Sequence, residues 1–298
     1  MNTLYTDILI IGAGAAGMAA VLAAEKKGYQ KILLAERKET PGGVLLQCTH
    51  RGFGLGYFRE DLTGIEYADR FRRMLEKSCA KILNRTMVLQ LYQDRTALLA
   101  GKDGLTRVCF EKCIMATGCR ERTIQSLPVG GTRPSGIMTC GTAQKLMNID
   151  KLEIGDEIVI LGTGDVGQIV ARDLIKKGRK VLAMIEQNDV PGGLKRNQEQ
   201  CLKAFSIPVM LKTQITGICG SGRIEGVIVR HLDTEAEEFL PCRTLLTAIG
   251  MIPEREAAGK LLEGASLPDW FYLVGNCDYV HDIVDSVTAD AFKLESVL

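Results

Sequence analysis

Apolar residues fall in short dense runs separated by longer amphipathic stretches, the alternation expected of an α/β chain. The run DILIIG at 7–12 predicts a strand buried on both faces. An alanine-rich helix follows to about Lys27 and stops at Gly28. KILLAE at 31–36 predicts a parallel second strand, which completes a right-handed βαβ unit. Residues 42–60, with glycines at 52, 54 and 56, read as loop. Tyr67, Phe71, Met74 and Leu75 stand at helical spacing and predict a helix over 64–78. Three short strands follow, TMVLQLY, TALLA and TRVCF, the last two joined by a hairpin at Lys102-Asp103-Gly104. KCIMATG at 112–118 predicts another strand closing on glycine.

The second half repeats the first at an offset of 150 residues. Gly12, Gly14 and Gly17 return as Gly162, Gly164 and Gly167; Gly28 returns as Gly178; Glu36 returns as Glu186. Pro41-Gly42-Gly43 returns as Pro191-Gly192-Gly193. A second βαβ unit is thus predicted over 157–186, after a connection at 119–156 with a short helix near 141–148. Helix is expected at 194–205, and strands at VMLKTQITGI, IEGVIVRHL and EEFLPC. RTLLTAIG at 243–250 echoes KCIMATG. FYLVGN is the last strand, and a helix from about Asp282 closes the chain, with Asp282 and Asp285 spaced like a capping box. The ATG and AIG echoes divide the chain into a first domain, 1–119 plus 251–298, and a second, 120–250, nested within it. The fold class is α/β, two nested Rossmann-like nucleotide-binding domains.

Composition narrows the chemistry. Hydrophobic residues make up 46% of the 298, and the net charge is +1, so no basic footprint points to nucleic acid or membrane. The basic residues of 70–74 read as a solvated helix face. No run is long enough to span a bilayer, and the first strand leaves no room for a leader, so a cytoplasmic location is expected. None of the ten cysteines forms C-x-x-C, and Cys109 and Cys113 have neither metal-ligand spacing nor nearby histidines; no metal is expected.

A G-x-G-x-x-G after a strand, followed by an acid on the next strand, is a dinucleotide signature, and here it occurs twice. The first glycine permits a tight turn, the second lets backbone approach a pyrophosphate, and the third lets helix pack on strand. The helix N-terminus offers N–H groups and positive potential to the phosphates. Glu36 is placed to accept a bidentate pair from a ribose. Glu186 is followed by Gln187-Asn188-Asp189, with no arginine, which favours NAD over NADP.

With Gly275 and Asn276 in LVGNC and the helix that follows, the chain resembles the two-dinucleotide-binding-domain flavoproteins, the pyridine nucleotide-disulfide oxidoreductase superfamily, over nearly its whole length. The resemblance implies FAD at the first site, NAD at the second, and the terminal helix N-terminus aimed at the flavin O2/N1 edge. It places Gly12, Gly14, Ala15, Ala16, Gly17, Glu36, Arg37, Gly43 and Val44 at the first site, with Val88, Ala116, Thr117, Gly118, Gly275 and Asn276. It places Gly162, Gly164, Asp165, Val166, Gly167, Glu186 and Gly250 at the second. Asn276 stands where the superfamily usually has Asp.

Within the superfamily, ATGCRER, GIMTCGTAQ and VHDIVD resemble the flavoprotein subunits of hydrogen cyanide synthase, sarcosine oxidase alpha and dye-linked proline dehydrogenase. QCTHRGFGLGYF resembles bacterial flavoproteins grouped with glycerol-3-phosphate dehydrogenase. A disulfide reductase of this superfamily needs a dithiol, but Cys48 and Cys140 each stand alone. Cys48 and His50, sharing a face if 48–50 is a strand, are either an activated thiol pair or a packed thiol beside a polar loop residue. His281 is either a donor to flavin O2 or substrate, or a helix-start residue bonded to water; His231 reads as a strand residue. The expected function is hydride transfer between NAD(H) and FAD. Electrons then pass to a small acceptor or to an iron–sulfur or second flavoprotein subunit. The alternative is a flavoprotein subunit of an amine, amino-acid or glycerol-3-phosphate dehydrogenase complex.

Overall fold

The computed structural model describes residues 1–264 and 266–298 and divides into two compact units, 1–120 with 252–298 and 121–251. In the first, β1 (Asn2–Ile11) lies at the centre of a seven-stranded sheet. Its inner half, Ile8 to Ile11, is buried and pairs in parallel on one side with β2 (Ile32–Ala35). Between them runs α1 (Ala15–Lys26). Ala19, Ala20, Ala23 and Ala24 are wholly buried there, so small side chains let α1 lie close to the sheet and to the helices α2 (Gly64–Leu75) and Val284–Phe292. Thr63 caps α2: it accepts from Glu66 N while the Glu66 carboxylate accepts from Thr63 N, a reciprocal pair.

Strand β3 (Lys81–Leu83) extends the parallel sheet beyond β2. Strands β4 (Met87–Leu91), β5 (Thr96–Gly101) and β6 (Gly104–Met115) form a meander. TRVCF and KCIMATG are one long strand rather than two. The first half of β6 pairs antiparallel with β5, and its second half pairs in parallel with the late strand Phe271–Leu273. Leu33, Leu99, Val108, Phe110 and Trp270 fill the face opposite α1.

The second unit is built on five parallel strands: β7 (Ile137–Thr139), β8 (Ile158–Leu161), β9 (Val181–Ile185), β10 (Val209–Met210) and β14 (Thr244–Thr247), in the order β7-β14-β8-β9-β10. Helices α3 (Cys140–Asn148) and α4 (Asp165–Lys176) cover one face. An antiparallel ribbon, β11 (Thr213–Gly220), β12 (Ile224–His231) and β13 (Glu237–Pro241), supplies the apolar cluster on the other. VMLKTQITGI is split between two sheets, at a break where Lys212 takes φ +47°.

Two further expectations are corrected. Segment 42–60 is not all loop: it holds a 3₁₀ turn, Gly43–Gln47, and the strand Arg51–Phe53, which pairs with Leu62–Thr63. The terminal helix starts at Val284, and its N-cap, Ile283, makes no side-chain cap. Asp285 Oδ1 accepts instead from Tyr57 N at 3.0 Å, so Asp282 and Asp285 form no capping box. Among the described residues no helix is long and apolar enough to cross a membrane.

Candidate functional site

The turn from β1 into α1 uses its three glycines for different reasons. Gly12 has φ +93°, and a Cβ there would stand 2.6 Å from Ala116 O. A Cβ on Gly17 would collide with Gly12 O. Packing within the unit therefore requires both. It does not require Gly14, whose φ is −76° and whose Cβ position has nothing within 4 Å. The turn from β8 into α4 repeats the arrangement. Cβ atoms on Gly162 and Gly167 would strike Ala248 O and Ala248 Cβ, whereas one on Gly164 would meet only Ala248 O, at 3.9 Å. Each middle glycine borders open space that a side chain would fill, the cradle a pyrophosphate needs.

The helix ends face that space with unspent donors. Gly14 gives α1 no side-chain cap, and Met18 N is the first to bond back, to Gly14 O at 3.0 Å. Ala15, Ala16 and Gly17 thus have no intrahelical acceptor for their N–H groups. At α4 the first bond back is Gln168 N to Gly164 O at 3.1 Å.

Both acids first serve the turns themselves. Glu36, 4% exposed, accepts from Ala13 N and Lys38 N, each at 2.7 Å, one per oxygen. Each oxygen keeps a second lone pair for a ribose hydroxyl. Glu186 accepts from the Thr163 hydroxyl through one oxygen and from Asn188 N and Nδ2 through the other.

The late turn joins the first site at Gly275. A Cβ there would stand 2.8 Å from Ala16 Cβ, and its N–H donates to Asp290 Oδ2. Arg255 donates to the carbonyls of Cys277 and Asp278 and holds the rest of the turn. Asn276 Oδ1 accepts from His281 N at 2.9 Å and contacts His281 Nδ1 at 3.2 Å. A backbone N–H only donates, so the amide oxygen is fixed as acceptor and Nδ1 must carry the hydrogen. His281 Nε2 is then a lone pair in the neutral ring, buried and without a protein partner. In that tautomer Nε2 accepts rather than donates.

The remaining positions sort by environment. Arg37 and Val44 are exposed beside the first turn. Gly42 N donates to Ala13 O at 2.7 Å, and a Cβ on Gly43 would lie 3.0 Å from Gly14 Cα, so this loop leans on the middle glycine. The Val88 side chain packs inward. It is 6% exposed in the core with Leu91 and Leu99, because the β4 alternation turns Val88 inward and Met87 outward. Ala116 backs Gly12, Thr117 donates to Glu254 O, and Gly118 follows with φ +76°. In the second unit Asp165 Oδ1 accepts from Leu194 N and Asn197 Nδ2, Val166 packs on the α4 cluster, and Gly250 O accepts from Arg122 N.

Cys48 and His50 do not sit on a strand, which begins only at Arg51, so alternation does not place them on one face. Cys48 is buried with Sγ 3.5 Å from Val44 O; His50 Nδ1 lies 3.0 Å from Arg51 O and its ring 5.0 Å from Phe53. Cys140 is buried, and burial pushes its thiol well above the ordinary range. No group of side chains among the described residues is arranged to hold a metal.

The sequence profile of the pyridine nucleotide-disulphide oxidoreductase family matches residues 6–268. The chain belongs to this family. As a member it is an FAD-dependent oxidoreductase, and binding of FAD and NAD(P) comes with membership. The oxidoreductase is 27% identical over 290 residues to sarcosine oxidase subunit alpha of Corynebacterium sp. (strain P-1), covering 88% of this chain and 28% of that one. It is 26% identical over 301 residues to hydrogen cyanide synthase subunit HcnB of Pseudomonas aeruginosa, covering 91% and 62%. It thus spans about a quarter of the sarcosine oxidase alpha subunits it matches. Its fold is that of thioredoxin reductase from T. acidophilum, with TM-score 0.75 and 21% identity over 99% of this chain and 97% of that one.

Proposed function

We propose that this oxidoreductase transfers hydride between NAD(H) and FAD, with FAD in the unit 1–120/252–298 and the nicotinamide dinucleotide in the unit 121–251. The observation that carries the reading is the pair of middle glycines, Gly14 and Gly164, which border open space and which packing does not require. When bound, the flavin supplies the two-electron acceptor for a nicotinamide hydride. The chain's own residues bind and orient. The N–H groups of Ala15, Ala16 and Gly17 meet phosphate oxygens, and the spare lone pairs of Glu36 and Glu186 meet ribose hydroxyls. The Gly275–Asn276 turn, held by Asp290 and Arg255, packs Gly275 against Ala16 and fixes His281 through Asn276.

We assign NAD rather than NADP to the second site. Glu186 and Asp189 put negative charge where a 2′-phosphate would sit, and Gln187 and Asn188 supply no cation to offset it.

The electrons leave, in this reading, to a partner subunit carrying an iron–sulfur centre or a second flavin. Its support is that the relatives include separate subunits of larger enzymes: sarcosine oxidase alpha, opine oxidase A and HcnB. The same relatives favour a second reading, a flavoprotein subunit of an amine or amino-acid dehydrogenase complex. Disulfide reduction is disfavoured, because the sequence has no C-x-x-C and the Cys140 thiol is buried.

Anaerobic mixing of FAD-loaded protein with NADH and, separately, NADPH tests the assignment through the visible flavin band. Bleaching by NADH much faster than by NADPH is expected. Bleaching by sarcosine or proline and by neither nucleotide would replace the hydride route with the amine reading.

A further inference from the structure

The two dinucleotide turns differ in how each holds its Pro-Gly-Gly loop. In the first unit the loop rests on backbone: Gly42 N donates to Ala13 O, and Gly43 packs against the middle glycine, Gly14. In the second unit side chains intervene. Gln168 stands where the first copy has Met18 and is wholly buried. Its Nε2 donates to Thr163 O at 2.6 Å, in the glycine turn, and to Gly192 O at 2.7 Å, in the loop. Two carbonyls on one side fix the amide orientation, and Oε1 is left buried without a partner. The Thr163 hydroxyl accepts from Gly192 N at 2.8 Å, and Asp165 Oδ1 accepts from Leu194 N at 2.8 Å. The three atoms nearest a Cβ on Gly193 belong to Gln168 and Asp165, not to Gly164.

The orphaned Oε1 is informative. Methionine fills the same register in the first copy, so the helix position does not demand an amide. A buried amide with one unsatisfied end is kept for its donor end. That end spans the gap between turn and loop, so that the loop glycine Gly193 meets Gln168 and Asp165 where its counterpart Gly43 rests on Gly14; the space beside each middle glycine is open in both copies.

We propose that Gln168 is a positioning residue for the second site. It props the Pro191–Gly193 loop off the middle glycine, so that the pyrophosphate of a nicotinamide dinucleotide enters and leaves a preformed cradle. The proposal rests on the assignment of that ligand to the second unit. Preorganisation of this kind acts on affinity and leaves the reaction of the bound ligand unchanged.

The test uses FAD-loaded wild type, Gln168→Met and Gln168→Glu. Methionine reproduces the first copy; glutamate keeps the volume but turns a carboxylate toward two carbonyls. NAD⁺ affinity is measured by calorimetry, flavin reduction by NADH by stopped flow, and hydrogen exchange at Gly192, Gly193 and Leu194 by mass spectrometry without nucleotide. Both variants are expected to bind NAD⁺ about tenfold more weakly. The NADH concentration for half-maximal reduction should rise by the same factor, with the limiting rate and FAD content unchanged. Loop amides should exchange faster in both. Affinities within twofold of wild type, or unchanged exchange in both variants, overturn the proposal while leaving the ligand assignment standing. Wild type that neither binds NAD⁺ nor is reduced by NADH overturns the assignment, and the proposal with it.

Discussion

Gly14→Val separates what the fold needs from what a ligand needs. Position 14 has φ −76°, accessible to any residue, and its Cβ would meet nothing within 4 Å. The cost to the apoprotein is confined to a poorer N-cap, about 1 kcal/mol. For a domain of this size that is a melting shift of roughly 2–4 °C. Gly17→Ala is the contrasting change. Its single methyl collides with Gly12 O, so turn and helix must move apart, at about 3 kcal/mol. The smaller substitution should therefore unfold the apoprotein at a markedly lower temperature than the larger one. For flavin the order reverses: valine fills the open space beside the helix N-terminus, and FAD affinity should fall at least about 100-fold, or ~2.7 kcal/mol. Thermal melts of both apoproteins, with flavin-to-protein ratios after gel filtration, check this. A Gly14→Val protein that keeps full flavin, or that melts as low as Gly17→Ala, refutes the reasoning.

Other outcomes follow from particular contacts. Thr63→Ala removes the cap on Glu66 N and should lower stability by about 1 kcal/mol, read from chemical denaturation. The Glu66 carboxyl is held below its ordinary value of 4.5, chiefly by the hydrogen bond from Thr63 N. A depressed pKa gives stability that is present above the unfolded value and lost as pH falls through the folded one. Wild type should therefore exceed Glu66→Gln in melting temperature at pH 7, and the difference should vanish on acidification below the carboxylate range. Nitrogen NMR of the three histidines should find His281 as the Nδ1–H tautomer, with Asn276→Leu shifting it toward Nε2–H. A wild-type Nε2–H tautomer would remove the acceptor role assigned to that ring.

Features carried by local spacing were legible in the sequence. Gly17 is required by its contact with Gly12 O five residues earlier, so local spacing encodes it, whereas Gly12 is legible through its place in the turn although the atom that excludes a side chain there, Ala116 O, is distant in the chain. The late Gly275 was legible only through resemblance, because its neighbours Ala16 and Val287 come from different parts of the chain. What was missed depends on partners that local pattern does not reveal. Asp285 looks like a capping acid, yet it bonds to Tyr57 N, 228 residues away. Gln168 gives no signal, because it binds backbone carbonyls that any sequence supplies. Strand β6 reads as two pieces because Glu111 and Lys112 interrupt its apolar run, at the point where its partner changes from β5 to the late strand. The inward side chain of Val88 gave no periodic signal, because the buried positions of β4, Val88 and Leu91, stand three apart across a register irregularity.

The assignment of the two ligands to the two units is tested most directly by Gly164→Val. The substitution fills the second cradle and leaves the first untouched. Anaerobic mixing of the purified variant with NADH, with dithionite as the control, should give a yellow protein with full FAD that dithionite bleaches and NADH does not. Bleaching by NADH at the wild-type rate, or loss of FAD from Gly164→Val, would contradict the account.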